Sequence, residues 1–336
     1  MSKPTVGIFG LTGCAGDQLV VLNCEDQLLD VVAAVDLRDF LTASSANDTA
    51  CDLDVALVEG SVVKDVTAAL DALPAYHYPL PQYDVMIANL DRVVARVKEV
   101  APTAGSVPLA GLKLLSPVAN PGKIVAAPVN YTKHLEEAKA DVQIHSNNPS
   151  HTLTIQKAGL FLKANSSLVG ASEGIALRHL ARRNDHEVEL AVVIGKRCNK
   201  VSKEHALEYV AGYSIGLDIS IRGSEDRSFR KSADSYTVLG PWLVTADEIP
   251  NPGVLDLWIK KNGETKQSSN TKYLILGVPE LIEMASLFYT LYPGDVIITG
   301  TPEGVGPIEP GDTLLSYVEG VGEMTVSVGA APGFED

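Results

Sequence analysis

The strongest constraint on the fold comes from two stretches rich in aliphatic and β-branched residues that also carry carboxylates. DHEVELAVVIG spans residues 185–195 and AGYSIGLDISIR spans residues 211–222, and both compositions predict β-strands. Side chains at positions i and i+2 of a strand point to the same face, so Glu187 and Glu189 are expected to converge. A surface strand with outward glutamates is the ordinary interpretation. The apolar run that follows instead places these carboxylates near a core, where uncompensated charge is costly.

Three carboxylates without a cysteine indicate a site for a hard cation. Asp218 in the second stretch joins Glu187 and Glu189 as an oxygen donor. Oxygen donors suit Mg²⁺, whereas zinc sites are built mainly from cysteine and histidine. The sequence therefore predicts a Mg²⁺ site, with Mn²⁺ or Ca²⁺ as alternatives.

A series of motifs follows the same order along the chain: FLKANSSLVG, DHEVELAVVIGK, YVAGYSIGLDISIR, FRKSADSYTVLGPWLVTADEI and LYPGDVIITGTPEGVG. Together they resemble the fumarylacetoacetate hydrolase family over residues 116–330, and more weakly back to about residue 60. The resemblance implies an α+β fold dominated by a mixed β-sheet curled into a roll. Periodicity alone predicts only many strands and few helices. We therefore expect a small N-terminal α/β segment over 1–60, a lead-in region over 61–115 and a catalytic domain over 116–330.

The segment NYTKHLEEA, residues 130–138, offers a candidate pair for activating water. His134 and Glu137 are three positions apart and are neighbours on a helical turn. A carboxylate beside an imidazole orients the ring and raises its basicity. Spacing alone also fits an exposed helix start, but the family has a His–Glu dyad here, and the resemblance assigns it to these two residues. The polar stretch 139–154 that follows is predicted to be a mobile loop that orders over substrate.

Further site residues are implied by matches to the family's motifs. Arg222 follows Asp218 by four residues in a D-x-S/T-x-R pattern, and Lys231 stands in FRKSAD. A lysine near the metal stabilises an oxyanion that develops on substrate; the alternative is an interior salt bridge to one of the metal-ligating carboxylates, and both can hold together. Lys163 in FLKANSS is another matched cation that can also bind local carbonyls. Thr301 lies in TGTPEGVG, which resembles the family's carboxylate-binding turn.

One loop departs from the family's usual pattern. Glu225 and Asp226 occupy positions where members often carry glutamine or arginine. In the family, residues of this loop help to bind the end of the substrate that lies away from the 2-oxo acid. Two acidic residues there predict a preference for neutral acylpyruvates over diacids.

The resemblance implies an enzyme that hydrolyses a carbon–carbon bond in an acylpyruvate-type 1,3-diketo acid, in aromatic or 2-oxo acid catabolism. The metal would chelate the 2-oxo acid end, and His134 with Glu137 would deprotonate a water that attacks the distal ketone. The metal and Lys231 would stabilise the departing enolate. The alternative is a decarboxylase, isomerase or hydratase acting on oxaloacetate or a 2-hydroxyhepta-2,4-diene-1,7-dioate type of acid. A non-enzymatic binding module is disfavoured by the intact catalytic set.

Composition limits the partners of this protein. A net charge of −15 argues against nucleic acid or an anionic membrane surface. No apolar run approaches the ~20 residues that a membrane-spanning helix requires. Three of the four cysteines lie in the first 51 residues and form no disulfide framework, which favours a cytoplasmic location. The expected partners are a small 2-oxo acid and a second copy of the chain in a homodimer.

Residues 1–60 differ in character from the rest. VGIF is followed by Gly10, Gly13 and Gly16 and then by DQLVVLNCEDQLLDVVAAV, whose apolar spacing predicts a helix. The segment also resembles the start of the small subunit of nickel–iron hydrogenases, in which a C-x-x-C pair binds an iron–sulfur cluster. Asp17 replaces the second cysteine here. Because a cluster needs four good ligands, usually thiolates, we predict no cluster.

Three further segments have apolar residues at helical spacing. They predict an amphipathic helix over 83–100 and helices over 203–210 and 278–289. The proline- and glycine-bearing stretch 101–116 is predicted to be the linker that precedes the catalytic domain.

Overall fold

The computed structural model describes residues 61–75 and 81–334, together with the backbone of three preceding strands. The strands are β1 (Thr5–Gly10), β2 (Asp17–Asn23), β3 (Val55–Glu59), β4 (Val62–Asp65), β5 (Ser106–Pro108), β6 (Ile124–Ala126), β7 (Phe161–Lys163), β8 (Leu168–Val169), β9 (Ile175–Leu177), β10 (Asn184–His186), β11 (Val188–Ile194), β12 (Val210–Asp218), β13 (Ser220–Ile221), β14 (Thr237–Thr245), β15 (Asp256–Lys261), β16 (Glu264–Asn270), β17 (Val296–Ile298), β18 (Gly306–Pro307), β19 (Thr313–Val318) and β20 (Gly322–Ala330).

The helices are fewer and mostly short. The α-helices are α1 (Leu90–Val100), α2 (Thr132–Ala140), α3 (Val142–His145), α4 (Ile155–Ala158), α5 (Arg227–Arg230) and α6 (Val278–Phe288). Single 3₁₀ turns or short 3₁₀ helices cover Thr67–Ala72, Ile87–Asn89, Ala101–Thr103, Pro149–Thr152, Asn165–Ser167, Lys203–Tyr209, Pro252–Val254 and Thr271–Tyr273. None of the described helices has the length and apolar character that crossing a membrane requires.

A 12-stranded mixed sheet forms the centre of the molecule. Its strand order is β5-β4-β3-β2-β1-β14-β12-β11-β17-β6-β7, and β8 pairs with β14. Strands β11 and β12 are buried along their whole length, because both faces of the sheet are covered, and this explains their nearly continuous apolar sequences. They pair antiparallel with Glu189 opposite Gly216.

Two smaller sheets complete the roll. One has five strands in the order β16-β15-β19-β20-β9, and the other has three strands in the order β13-β10-β18. Burial alternates along β20, as expected for a sheet with one face on the core. The larger apolar core lies between these layers, whereas a second core packs α1, through Val93 and Val97, against Val193 and Leu243 of the 12-stranded sheet. The predicted α+β fold with mixed sheets is therefore confirmed.

Several predicted elements differ from the structure in type or extent. The helix predicted over 83–100 begins as a 3₁₀ turn at Ile87 and becomes α-helical at Leu90. The helix over 278–289 matches α6, and the segment 203–210 is a 3₁₀ helix. The stretch 139–154, expected to be a loop, contains the end of α2, the helix α3 and a 3₁₀ turn.

The N-terminal prediction of a helix from Asp17 is wrong for the part that the structure describes. Asp17–Asn23 is a β-strand that pairs antiparallel with Thr5–Gly10. The physical reason is that a short apolar run such as LVVL fits a buried strand as well as a helix, and periodicity cannot distinguish them. Residues 24–54 lie outside the described residues. The division of the chain at residues 60 and 115 stays a prediction.

Candidate active site

The three predicted metal-ligating carboxylates are brought together by strand pairing. Glu187 lies between β10 and β11, Glu189 lies in β11, and Asp218 is the last residue of β12. The backbone N–H of Asp218 donates to the carbonyl of Glu187 at 3.0 Å, which fixes the register at this point. One carboxylate oxygen from each residue lies within 4.8 Å of the others, and all three residues are buried.

Electrostatics at this cluster favours a bound cation. Burial opposes ionisation of Glu187, but Lys231, Arg222 and His134 outweigh it and hold the pKa of this carboxyl below its usual range. Burial and the neighbouring charges of Asp218 and Glu187 raise the pKa of Glu189 well above normal. The existing cations therefore satisfy Glu187 but not Glu189. A divalent ion supplies the missing positive charge, and the all-oxygen donor set fits such an ion.

Two lysines contact the same carboxylates. The Nζ of Lys231 donates to Glu187 at 2.7 Å and to Asp218 at 2.6 Å. The Nζ of Lys163 donates to Asp218 and, at 2.9 Å, to the carbonyl of Tyr236. Burial lowers the pKa of Lys163, although Asp218 opposes this effect. Lys231 therefore makes the interior salt bridge that the sequence analysis left open, and Lys163 binds a local carbonyl, as its alternative interpretation allowed, in addition to Asp218.

Arg222 bridges Glu187 of the carboxylate cluster and the neighbouring Asp185. Its Nη2 donates to Glu187 at 2.9 Å, and its Nε donates to Asp185 at 2.7 Å. Ser220 also donates to the same oxygen of Glu187, at 2.8 Å. Arg222 thus has two carboxylate partners, and it holds Glu187 in place from the side away from Lys231.

The predicted histidine–glutamate pair forms on α2. The Nδ1 of His134 lies 2.8 Å from Oε2 of Glu137, and Oε1 of Glu137 accepts a hydrogen bond from the N–H of Gly304 at 2.9 Å. His134 is buried, whereas Glu137 is half-buried. Since the carboxylate engages Nδ1, the Nε2 atom is the ring nitrogen available to a water or substrate.

The turn that contains Thr301 is hydrogen-bonded to β11 and to the side chain of Glu189. The hydroxyl of Thr301 donates to the carbonyl of Val188 at 2.9 Å and accepts from Gln267 at 2.8 Å. The N–H of Gly300 donates to Glu189. Gly300 has a φ of +98°, and a Cβ there would lie 2.6 Å from Cβ of Asn130, so a glycine is required at this position.

A cavity that is open to solvent lies against these residues. Among the predicted site residues, those that line it are His134, Glu187, Glu189, Arg222, Lys231 and Thr301. Lys163, Glu137 and Asp218 are not part of its lining: Asp218 belongs to the carboxylate cluster, and Lys163 and Glu137 contact Asp218 and His134, respectively. The sequence analysis missed three polar lining residues, His151, Arg227 and Arg230. The two arginines had a sequence signal in the basic character of RSFRK, whereas His151 had none.

The acidic loop does not face the cavity in the way the sequence analysis assumed. Glu225 forms a two-pronged ion pair with Arg182, with both distances at 2.9 Å. Asp226 caps the start of α5 by accepting from the N–H of Ser228 at 2.8 Å. Neither carboxylate lines the cavity. The premise of the predicted discrimination against diacids is therefore wrong, because both acidic groups are engaged by local partners.

Residues 123–329 match the family described as fumarylacetoacetate (FAA) hydrolase, C-terminal. The chain belongs to the fumarylacetoacetate hydrolase family. The predicted resemblance over 116–330 is thus confirmed. The resemblance of residues 1–60 to hydrogenases is not borne out.

Relatives within the fumarylacetoacetate hydrolase family include maleylpyruvate hydrolases and an isomerase. A maleylpyruvate hydrolase from Aquipseudomonas alcaligenes is 60% identical over 272 residues, which are 81% of this chain and 95% of that protein. The crystal structure of a maleylpyruvate hydrolase from Sphingobium sp. SYK-6, in complex with manganese(II) and pyruvate, is 36% identical with a TM-score of 0.70, covering 82% of this chain and 96% of that one. A 5-carboxymethyl-2-hydroxymuconate delta-isomerase from Mycobacterium smegmatis is also 36% identical, with a TM-score of 0.55, covering 68% and 87%.

These similarities confirm the predicted enzyme class. The chain is a metal-dependent hydrolase that acts on a carbon–carbon bond of acylpyruvate-type ketonic substrates. A divalent metal is supported both by the manganese-containing relative and by the carboxylate cluster. The isomerase relative shows that the same fold also serves the alternative chemistry.

Proposed function

We propose that this enzyme hydrolyses maleylpyruvate or a closely similar acylpyruvate to pyruvate and a carboxylic acid. The observation that supports it best is the buried cluster of Glu187, Glu189 and Asp218, whose carboxylate oxygens lie within 4.8 Å of one another. The histidine of a hydrogen-bonded histidine–carboxylate pair lines the same cavity. The high identity to a maleylpyruvate hydrolase agrees with this substrate class. When bound by these three carboxylates, a divalent cation polarises the oxygens of a 2-oxo acid as a Lewis acid.

The residues of α2 are suited to activating water. Glu137 orients His134 through Nδ1, and Nε2 takes a proton from a water that attacks the distal ketone carbon of the substrate. A new C–O bond forms at that carbon, and the bond to the neighbouring methylene carbon breaks. The electron pair stays on the departing pyruvate as an enolate, which then takes up a proton to give pyruvate.

The cations around the cluster have separate tasks. The ammonium of Lys231 lines the cavity and lies within hydrogen-bond distance of Glu187 and Asp218, so it can stabilise negative charge that develops on the departing group. Lys163 and Arg222 hold Asp218 and Glu187 in position. Thr301 lines the substrate cavity, and its hydroxyl anchors the turn to β11.

Replacing Glu137 by glutamine separates hydrolysis from decarboxylation. Hydrolysis needs a water placed by His134 and Glu137, whereas loss of CO₂ from oxaloacetate needs no attacking water. We expect Glu137→Gln to remove cleavage of acylpyruvates while keeping much of any oxaloacetate decarboxylation, measured as the two kcat/KM values. Wild-type protein that decarboxylates oxaloacetate, or isomerises a hydroxymuconate-type acid, without cleaving any acylpyruvate would favour the alternative function.

The finer details of the working enzyme are part of the same proposal. We infer Mg²⁺ as the resident ion, a cytoplasmic location and a homodimeric assembly. Exposed apolar side chains at the end of α6, Leu287 and Phe288, support a protein partner of this kind. Metal analysis of the purified protein and its sedimentation mass test the first and last of these statements.

A further inference from the structure

We propose that Arg230 and Arg227 form a subsite for a second carboxylate, at the end of the acyl group far from the 2-oxo acid. This inference rests on the proposed function, because it assumes that an acylpyruvate occupies the cavity. It assigns the enzyme to substrates with two carboxylates, which reverses the expectation drawn from Glu225 and Asp226.

Arg230 is a buried cation without an anionic partner. Only 3% of its surface is exposed, yet it makes no ion pair with any described residue. Its Nη1 donates to the carbonyl of Ile221 at a long 3.3 Å, and its buried Nε atom has no hydrogen-bond partner among the described residues. Burial, reinforced by the charge of Arg222, lowers its pKa to about 10. Burying such a guanidinium is costly unless an anion joins it.

Arg227 lines the same cavity and is held there by the segment that follows α2. Its Nη2 donates to the carbonyl of Ser150 at 2.8 Å, and no described carboxylate lies within ion-pair distance of it. The side-chain amide of Asn148 also donates to the carbonyl of Ser224, at 2.9 Å. These two contacts fix α5 against the segment, so Arg227 is positioned before any ligand arrives.

The positive charge in this part of the cavity comes from the arginines and not from the neighbouring histidine. His151 is buried, and its Nδ1 lies 3.1 Å from the carbonyl of His145. Burial first, and then the charges of Arg230 and Arg227, lower its pKa to about 4. Arg222 lines the cavity as well, but Asp185 and Glu187 already neutralise it. Arg230 and Arg227 are thus the cavity guanidiniums that have no carboxylate partner among the described residues.

A carboxylate on the substrate would supply the anionic partner that these two guanidiniums lack. Arginine binds carboxylates with charge-assisted and often two-pronged hydrogen bonds. The 2-oxo acid end of a substrate belongs at the carboxylate cluster, where the metal is held. The two arginines would therefore bind a second acid group on the acyl part of the substrate.

A matched pair of unreactive ligands tests the subsite without relying on catalysis. 2-Oxoheptanedioate and 2-oxoheptanoate have the same seven-carbon chain and differ only in the terminal carboxylate. We would measure the affinity of both for the Mn²⁺-loaded full-length enzyme by calorimetry. We expect the diacid to bind roughly 10- to 100-fold more tightly, the range expected for hydrogen bonds between charged groups.

Substitutions then assign the preference to the subsite. Arg230→Met keeps an unbranched apolar stem and removes the charge, and it should abolish most of the preference for the diacid. Arg227→Met, at a half-buried position, serves as a second variant in case Arg230→Met fails to fold. Arg178→Met is the control, because Arg178 pairs with Asp234 and does not line the cavity, and it should keep the wild-type preference.

The outcomes separate this inference from the proposed function. Equal affinity of the two ligands for the wild type, or a preference that survives in both arginine variants, would overturn the subsite. A larger fall in kcat/KM for maleylpyruvate than for acetylpyruvate in Arg230→Met would support it, and an equal fall would indicate a structural role and count against it. A diacid preference in a protein that cleaves no acylpyruvate would support the subsite and refute the proposed hydrolase.

Discussion

At the scale of single residues, Glu189 is the carboxylate that the protein's own cations leave without compensation. Burial and the charges of Asp218 and Glu187 raise its pKa, and its hydrogen bond from Gly300 relieves only part of the cost. We expect Glu189→Gln to weaken Mn²⁺ binding at least ~100-fold and to abolish cleavage, because one charged ligand is lost from the set. Calorimetry with Mn²⁺ measures the first effect.

The control for this substitution is Glu208→Gln, because Glu208 is an exposed carboxylate outside the cavity. It should bind the metal like the wild type. Full activity in an exhaustively chelated wild-type sample would contradict the metal-dependent mechanism.

His134 has an internal control elsewhere in the same chain. His205 and Glu208 repeat its geometry, with Nδ1 and a carboxylate oxygen 2.8 Å apart at the same sequence spacing, but on an exposed surface. His134→Ala should lower kcat by roughly 10²–10⁴, as for loss of a general base, with the affinity for Mn²⁺ retained. His205→Ala should leave kcat unchanged, and an unchanged kcat in His134→Ala would remove this residue from the mechanism.

The same comparison shows what the sequence can predict about single residues. Spacing identifies both histidine–glutamate pairs equally, since both depend only on neighbouring positions of one helical turn. Their burial depends on packing with distant parts of the chain. For that reason Arg227, Arg230 and His151 were not predicted: nothing in their local sequence shows that α5 and the segment after α2 meet at one cavity.

At the scale of secondary-structure elements, the interruption at Glu187 is the main departure from the sequence pattern. Alternation predicted one strand through Glu187 and Glu189, whereas β10 and β11 belong to different sheets. Convergence of the two carboxylates was predicted correctly, but its cause includes the pairing of Asp218 with Glu187. Strand boundaries of this kind depend on the partner strands, which a local pattern does not contain.

The turn at Gly300 allows a test with a matched control. Gly300 and Gly311 both have φ of +98°, but a Cβ at Gly311 would meet nothing within 4 Å. Gly311→Ala should cost only the ~1–2 kcal/mol of a left-handed backbone. Gly300→Ala should cost more in denaturant unfolding and should also weaken Mn²⁺ binding, because the turn must move and its N–H holds Glu189. Equal effects of both substitutions would show that the close contact with Asn130 is unimportant.

At the scale of the whole molecule, the family resemblance predicted the region after residue 116 well because its motifs lie in the strands that form the site. The N-terminal region could not be predicted in the same way. A single short apolar run such as that in β2 fits more than one type of element, and its choice depends on the neighbouring strands β1 and β3.

The absence of an iron–sulfur cluster is a prediction about the N-terminal region that needs no structural description of it. Because Asp17 replaces a thiolate ligand, anaerobically purified protein should show no broad visible absorbance and no stoichiometric iron and sulfide. Finding both iron and sulfide in stoichiometric amounts would overturn this interpretation.

The hydrogen-bonded contact between α5 and the segment after α2 has a consequence for how the enzyme diverges. The metal-site carboxylates are anchored at the junction of two long, fully buried strands, whereas the arginines lie on a four-residue helix flanked by surface loops. The carboxylate cluster and the proposed arginine subsite therefore lie on separate elements, and Lys231, which directly follows α5, is the residue where the two meet. Sequence changes within this short peripheral helix can alter which substrates an enzyme of this fold accepts, provided that Lys231 and the carboxylate cluster are kept.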